Sequence, residues 1–266
     1  MKIGVSSYTW TWAVGIKGYE PPRPLDAFGL IEKAGKTGAA VLQLADNPPL
    51  HHLEDTALRE IAAAAARTGV RLEAGTRGIE PGHLARYLQI AGVLGSPLVR
   101  TITHRLDEEA ASMLREVLPD YEVAGVCIAL ENHDEHTTGE LAGFVDRMGS
   151  RSLGVCLDTV NSFAALEPPR VVVQTLAPYT VNLHVKDFDV VRVGHQLGFS
   201  IEGRPAGEGR LDIPWMVRRL QAAGRDPSAI LELWTPFSGD IRDTVRTEDA
   251  WAARSLEYLR GVITES

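Results

Sequence analysis

A chain of 266 residues, 44% of them apolar and 23% charged, is long enough and apolar enough to form a large hydrophobic core. Its 27 basic and 35 acidic residues give a formal net charge of −8, which disfavours binding to the phosphate backbone of nucleic acids. No apolar run approaches the roughly 18 residues of a membrane span, and the opening MKIGVSSYTW lacks the core of a signal peptide, so we expect a cytoplasmic protein without membrane contact.

Short β-branched runs alternate with segments of helical periodicity along the whole chain. Eight strands are predicted, at 3–7, 39–44, 70–74, 97–102, 126–131, 153–158, 180–185 and 229–234. Helices are predicted at 25–36, 55–67, 81–94, 107–118, 139–148, 212–223 and 247–260. This alternation is typical of a parallel barrel, so the sequence predicts a single (β/α)8 TIM barrel, with residues 1–266 as one domain.

Two irregular stretches, 12–24 and 187–211, are longer than ordinary connections between a strand and a helix. Both follow the C-terminal end of a predicted strand, which is where barrel enzymes build their active sites. The second stretch is rich in glycine. We predict that it covers the mouth of the barrel and that Arg204 or His195 points inward.

Four polar side chains end predicted strands that are otherwise apolar. In chain order, from the fifth strand to the eighth, they are Glu131, Asp158, His184 and Glu232. Because parallel strands of a barrel end at one mouth, we expect these side chains to converge. Three buried carboxylates repel one another without a cation, and an imidazole with carboxylate oxygens suits Mn²⁺, Mg²⁺, Co²⁺ or Zn²⁺. We predict one divalent metal ion here, with manganese favoured.

The motifs around these four residues resemble those of the xylose isomerase-like TIM barrels, a family that includes sugar-phosphate isomerases and epimerases, ketose 3-epimerases and the endonuclease IV group. The resemblance covers nearly the whole chain and is strongest in LENH, CLDTVN, LHVKD and ILELW. It implies that Glu131, Asp158, His184 and Glu232 bind the metal. It also implies that Glu131 and Glu232 are the catalytic acid/base pair.

The chemistry of such a site agrees with this implication. A metal that chelates a carbonyl and its adjacent hydroxyl lowers the pKa of the neighbouring C–H bond and stabilises the enediolate. Two carboxylates on opposite sides of that carbon can then move a proton from one face to the other. We therefore predict a divalent-metal-dependent isomerase or epimerase that acts on a keto sugar or sugar acid through a metal-bound enediolate.

The chain departs from the epimerases and endonucleases at Asn161, where those proteins usually have a histidine three residues after the aspartate. The endonuclease branch also needs an Asp-x-His pair before the last glutamate, and none occurs in 185–231. Together with a sequence pI near 5.5, this argues against endonuclease activity.

A narrower resemblance gives an alternative function. LENHD, CLDTVNS, LHVKDF, the R-x-x-H of Arg192 and His195, and the segment GF–EGRP–GEGRLD are similar to a branch that contains 3-oxo-isoapionate decarboxylases. Such an enzyme removes CO2 from a β-keto sugar acid, and its metal-bound ketone accepts the electrons that CO2 leaves behind. It needs a cation to hold the substrate carboxylate. The candidates are Arg100, Lys186, Arg192 and Arg204.

The predicted substrate-binding set is completed by His133, Asn161 and His195, and Trp12 and Trp234 lie where aromatic rings could stack on a sugar. A further alternative is a non-catalytic or partner-dependent sugar-binding subunit. Retention of all four metal ligands argues against it, because buried carboxylates are costly without a function. The expected partner is a small keto sugar or sugar acid rather than nucleic acid or a membrane, and a homo-oligomer stays open.

Overall fold

The computed structural model describes residues 1–195 and 197–264, and eight parallel strands of this part form a closed barrel. The barrel strands are β1 (Ile3–Ser6), β2 (Val41–Leu44), β3 (Arg71–Gly75), β4 (Leu98–Thr101), β5 (Cys127–Glu131), β6 (Leu153–Asp158), β7 (Thr180–Val185) and β10 (Ser228–Leu231). Each strand pairs with its neighbour along the chain, and β10 pairs with both β7 and β1. The predicted (β/α)8 barrel is confirmed.

Helices surround the barrel. They are α1 (Thr11–Val14), α2 (Ala27–Thr37), α3 (Asp55–Thr68), α4 (Pro81–Leu94), α5 (Glu108–Ala124), α6 (Thr138–Met148), α7 (Pro169–Leu176), α8 (Ile213–Ala222) and α9 (Ile241–Val262). Side-chain caps fix several starts. Asp26 and Asp107, for example, accept hydrogen bonds from backbone N–H groups in the first turns of α2 and α5. Among the described residues, no helix combines the length and apolarity needed to cross a bilayer.

Some boundaries differ from the sequence prediction. Helix α5 continues through Pro119 to Ala124, whereas the proline predicted an end at 118. Helices α1 and α7 lie outside the predicted set, because α1 is only 4 residues long and α7 contains a β-branched run that favours a strand. Strand β10 ends at Leu231, so Glu232 follows the strand instead of lying on it.

The pleat of the strands decides which side chains face the barrel interior. Alternate residues point to opposite faces, so Cys156 and Asp158 on β6 share one face, as do Asn182 and His184 on β7. All four of these side chains are buried and point into the barrel. Between strands and helices, the other faces contribute to a large apolar core. The barrel axis is therefore polar toward the mouth, while the core that stabilises the fold lies outside it.

The stretch after β7 forms a two-stranded antiparallel hairpin, β8 (Asp187–Arg192) with β9 (Phe199–Arg204). Its side chains do not turn inward as predicted. His195 is exposed in the connecting turn, and Arg204 donates hydrogen bonds to Glu202 in the same strand. Among the described residues that line the mouth cavity, neither Arg204 nor His195 occurs, because His195 lies in the exposed turn and Arg204 is paired with Glu202 and Asp189 on the hairpin. The prediction that one of them points into the mouth is therefore not supported by the structure.

The hairpin packs closely against the segment that carries Glu232. A Cβ atom on Gly203 would lie 2.7 Å from the backbone carbonyl carbon of Trp234 and would overlap its oxygen. We predict that Gly203→Ala lowers the free energy of unfolding by about 1–3 kcal/mol, because the backbones must move apart.

Urea denaturation measures this change, with Gly194→Ala in the same hairpin as the matched control. A Cβ on Gly194 would meet no described atom within 4 Å, so this variant should stay within about 0.5 kcal/mol of the wild type. Equal stabilities for the two variants would show that the close approach at Gly203 does not exist in solution.

Candidate metal centre

The four predicted metal ligands meet at the C-terminal end of the barrel. Glu131 ends β5, Asp158 ends β6, His184 lies on β7 and Glu232 follows β10. Nδ1 of His184 lies 3.3 Å from Oε2 of Glu131, 3.8 Å from Oδ2 of Asp158 and 3.5 Å from Oε1 of Glu232. One ring nitrogen thus faces three carboxylates, and all four side chains are buried.

Two of these buried atoms, Nδ1 of His184 and Oε1 of Glu232, have no hydrogen-bond partner within residues 1–195 and 197–264, and Oδ2 of Asp158 has an ion pair with Lys186 at 2.9 Å in place of a hydrogen bond. An unsatisfied buried polar atom costs about 1–3 kcal/mol, so this cluster needs an explanation. One ligand atom from each of these three side chains lies within 4.8 Å of the other two, a spacing that a single cation can bridge. Carboxylate and imidazole donors suit a small divalent cation, and the residues therefore fit the predicted metal.

The tautomer of His184 is fixed by Gln43 on β2, whose side chain points into the barrel. Nε2 of Gln43 donates to Glu73 Oε2 at 3.1 Å and to Asn182 Oδ1 at 2.9 Å. The amide oxygen of Gln43 must then accept the hydrogen bond from His184 Nε2, at 2.7 Å. The imidazole proton consequently lies on Nε2, and the lone pair of Nδ1 points at the carboxylates, as a metal ligand requires.

Two buried cations hold the carboxylates in place. Nε of Arg100, on β4, donates to Oε2 of Glu131, and its Nη1 lies 3.0 Å from Oδ1 of Asp46. Nζ of Lys186, directly after β7, lies 2.9 Å from Asp158 Oδ2 and 2.8 Å from Glu232 Oε2. These pairs keep charges in the interior that would otherwise cost several kcal/mol each.

The same charges set the pKa values of the two glutamates. Burial raises the pKa of Glu232, but His184 when it is protonated, and the charges of Lys186 and Arg100, lower the pKa below its usual value. Burial also raises the pKa of Glu131, and the charge of Arg100 is the largest of those that bring it below its usual value. Both carboxylates are therefore ionised at neutral pH and are weak proton acceptors.

Asn161 and the local backbone orient two of the carboxylates. Nδ2 of Asn161 donates to Oε1 of Glu131 at 2.7 Å. The backbone N–H groups of Val160 and Asn161 donate to Oδ1 of Asp158, both at 2.9 Å, which leaves Oδ2 directed at His184. Asn161, predicted as a substrate-binding residue, thus contacts the carboxylate of a predicted metal ligand directly.

A cavity of about 540 Å³ opens above these groups, a volume typical of small-molecule sites. Arg100, His133, Asn161 and Lys186 from the predicted substrate-binding set line it, as do Trp12 and Trp234. Among the described residues, the lining does not include Arg192, His195 or Arg204, which lie on the hairpin.

Two further lining residues, Tyr8 and Arg77, are not among the sequence-predicted site residues. Arg77 comes two residues after the end of β3, and this position close to a strand end is a sequence feature that indicates a place at the barrel mouth. The signal is weak, because every barrel strand has residues at that distance and few of them face the mouth.

A family model described as "Xylose isomerase-like TIM barrel" matches residues 30–262 of this chain. The chain belongs to the xylose isomerase-like TIM barrel family. It is 35% identical to the 3-oxo-isoapionate decarboxylase of Pectobacterium atrosepticum, over 97% of this chain and 95% of that protein.

Solved structures of xylose isomerase-like barrels share the fold. D-psicose 3-epimerase from Clostridium cellulolyticum H10, solved with D-tagatose, is 20% identical, with a TM-score of 0.74 over 98% of this chain and 99% of that one. A Mycobacterium smegmatis member in complex with magnesium is 15% identical, with a TM-score of 0.70 over 97% of each chain. The comparisons confirm the prediction of an enzyme of the sugar isomerase/epimerase or decarboxylase type.

The hydrogen bond from His184 to Gln43 leads to a prediction about metal binding. We expect Gln43→Met, which keeps the side-chain length but removes the acceptor, to weaken Mn²⁺ binding by about 10- to 100-fold, because His184 loses its fixed tautomer. Isothermal titration of the metal-free protein measures the affinity, and thermal unfolding checks that the variant is folded. Gln89→Met, at an exposed position on α4, is the matched control. Unchanged affinity in folded Gln43→Met would contradict the role of this bond.

Proposed function

We propose that this chain is a divalent-metal-dependent decarboxylase of a β-keto sugar acid, similar in its chemistry to 3-oxo-isoapionate decarboxylase. The observation that carries the proposal is 35% identity to a decarboxylase along 97% of this chain. The cavity at the mouth is also lined by Arg77, Arg100 and Lys186, cations that suit an acidic substrate. Decarboxylation needs no C–H base, so Glu131 and Glu232 can stay paired with Arg100 and Lys186 as they are here.

In this proposal Asp158, His184 and Glu232 hold the cation, with Glu131 beside them, and Mn²⁺ is the favoured ion. When bound, the divalent cation withdraws electrons from the substrate ketone. The bond between the carboxylate and the adjacent carbon breaks, CO2 leaves, and its electron pair forms a C=C bond as negative charge moves to the ketone oxygen. A proton then adds to the carbon that lost the carboxylate.

The contribution of the chain is mainly electrostatic. Lys186 lines the cavity beside Asp158 and Glu232, and its ammonium group would stabilise the negative charge that develops on the ketone oxygen. Asn161 and Arg100 donate hydrogen bonds to the two oxygens of Glu131 and hold that carboxylate in one orientation. The indole rings of Trp12 and Trp234 line the cavity and would exclude water from its walls.

An epimerase of keto sugars is the second candidate. It is favoured by one observation, that Glu131, at the end of β5, and Glu232, directly after β10, approach the same nitrogen of His184 at 3.3 and 3.5 Å. Two carboxylates on either side of a carbon are what proton transfer between its faces requires.

The dependence on metal gives the first test. We expect Asp158→Asn, His184→Gln and Glu232→Gln each to lower kcat/KM for CO2 release by at least about 100-fold, because the cation supplies several kcal/mol of charge stabilisation. Chelation of the wild type should abolish activity, and added Mn²⁺ should restore it. Asp189→Asn, on the hairpin outside the cavity lining, is the matched control. Full activity after exhaustive chelation, with no metal found by elemental analysis, would rule out the proposed mechanism.

Turnover in D₂O separates the two candidate reactions. A decarboxylase should release one CO2 per β-keto acid consumed and incorporate deuterium only at the carbon that lost its carboxylate. An epimerase should incorporate deuterium into a neutral ketose, at the carbon that changes configuration, without release of CO2. NMR of the products together with a CO2 assay records both. Rapid exchange into neutral ketoses with no CO2 from any β-keto acid would favour the epimerase and refute the decarboxylase.

A further inference from the structure

Three arginine or lysine side chains occur in the described lining of the mouth cavity, and they differ in how fully they are buried and paired with carboxylates. Arg100 is paired with Glu131 and Asp46, and its side chain is 3% exposed. Lys186 is paired with Asp158 and Glu232, and its side chain is 10% exposed. Arg77 differs from both, because its side chain is 44% exposed.

The guanidinium of Arg77 keeps most of its donors for a ligand. In the part of the chain that the structure describes, its ionic partner is Asp46, with Nε 3.5 Å from Oδ2. Asp46 is shared with Arg100, whose Nη1 is closer, at 3.0 Å. A guanidinium has five N–H donors in a planar fork that matches the two oxygens of a carboxylate. Arg77 can therefore bind an anion in the cavity without giving up Asp46.

The backbone under Arg77 is held rigidly. The N–H of Thr76 donates to the carbonyl oxygen of Arg100 at 2.7 Å, and the N–H of Gly78 donates to that of Ile102 at 2.9 Å. The hydroxyl of Thr101 donates to Gly78 O at 2.7 Å. Hydrogen bonds to β4 and the residue after it thus fix the chain on both sides of Arg77. Because the backbone is already ordered, it loses little conformational entropy when Arg77 binds an anion.

Arg77 lines the same cavity as Glu131 and Glu232 of the candidate metal centre. Asp46 connects it to Arg100, and Arg100 donates to Glu131. One small substrate could therefore reach the metal ligands at one end and Arg77 at the other. We propose that Arg77 binds the carboxylate of the substrate and makes the enzyme select sugar acids over neutral sugars. The proposal rests on the function proposed above and names the residue that recognises the acid.

A binding experiment tests this role without relying on turnover. The probes are L-arabinonate and L-arabinitol, which have the same carbon chain and differ in a carboxylate. Their affinities for Mn²⁺-loaded protein are measured by calorimetry. The wild type should prefer arabinonate. Arg77→Gln should lose about 10-fold or more in affinity for arabinonate, the loss of a charge-assisted bond, while arabinitol binding stays within about twofold. Arg77→Lys should recover part of the loss, because it restores the charge without the fork.

The matched control is Arg105→Gln. Arg105 follows β4, its side chain is 46% exposed, and among the described residues it is not part of the cavity lining. It should leave both affinities unchanged. The proposal is overturned if the wild type shows no preference for arabinonate, if Arg77→Gln affects both probes or neither, or if Arg105→Gln has the same effect as Arg77→Gln.

A parallel CO2 assay separates this proposal from the proposed function. Acid-selective binding that depends on Arg77, without CO2 release from β-keto acids by the wild type, would refute the decarboxylase and leave the role of Arg77 intact. CO2 release with a kcat/KM unchanged in Arg77→Gln would refute the role of Arg77 and leave the decarboxylase intact.

Discussion

Three buried carboxyl groups around one imidazole nitrogen are the constraint on which the rest of the barrel mouth depends. Glu131, Asp158 and Glu232 lie within 3.8 Å of Nδ1 of His184 and are buried. In a low-dielectric interior their mutual repulsion and desolvation are costly unless cations lie beside them. Arg100 and Lys186 neutralise part of the charge, but among the described residues Nδ1 of His184 and Oε1 of Glu232 have no hydrogen-bond partner. A divalent cation would satisfy these two atoms together with Oδ2 of Asp158.

This requirement extends down the barrel axis. His184 can present a lone pair only if its other nitrogen has an acceptor, and Gln43 provides it. Gln43 in turn is held by Glu73 and Asn182, and Asn182 donates to Ser228 Oγ at 2.8 Å. The barrel interior from His184 down to Ser228 at the start of β10 is therefore a polar network rather than the branched apolar layers that usually fill such barrels. Stability must come mainly from the apolar layer between strands and helices.

The sequence was sufficient to predict the barrel and the convergence of the four candidate metal ligands, because both follow from local pattern. Alternating strands and helices dictate parallel closure, and a polar residue at a strand end must then lie at the mouth. The role of Arg77 and the orientation of the hairpin were not predictable in this way. Whether a positively charged side chain can bind the substrate depends on which carboxylates already contact it. Arg100 and Lys186 are buried in ion pairs, while the side chain of Arg77 is largely exposed. Such pairing is a property of tertiary structure, and no spacing along the chain encodes it.

The position of Lys186 shows why a metal-binding mouth would keep a positive charge. Glu232 gives Oε2 to Lys186 and leaves Oε1 directed at His184, so the ammonium group and a cation can use different oxygens of one carboxylate. In Asp158 the two groups cannot use different oxygens. Backbone N–H groups donate to Oδ1, so Lys186 and a cation would share Oδ2. Lys186 must therefore weaken cation binding to some extent through Asp158. That cost is offset during the proposed reaction, because an ammonium group next to the cation stabilises negative charge that appears only as CO2 leaves.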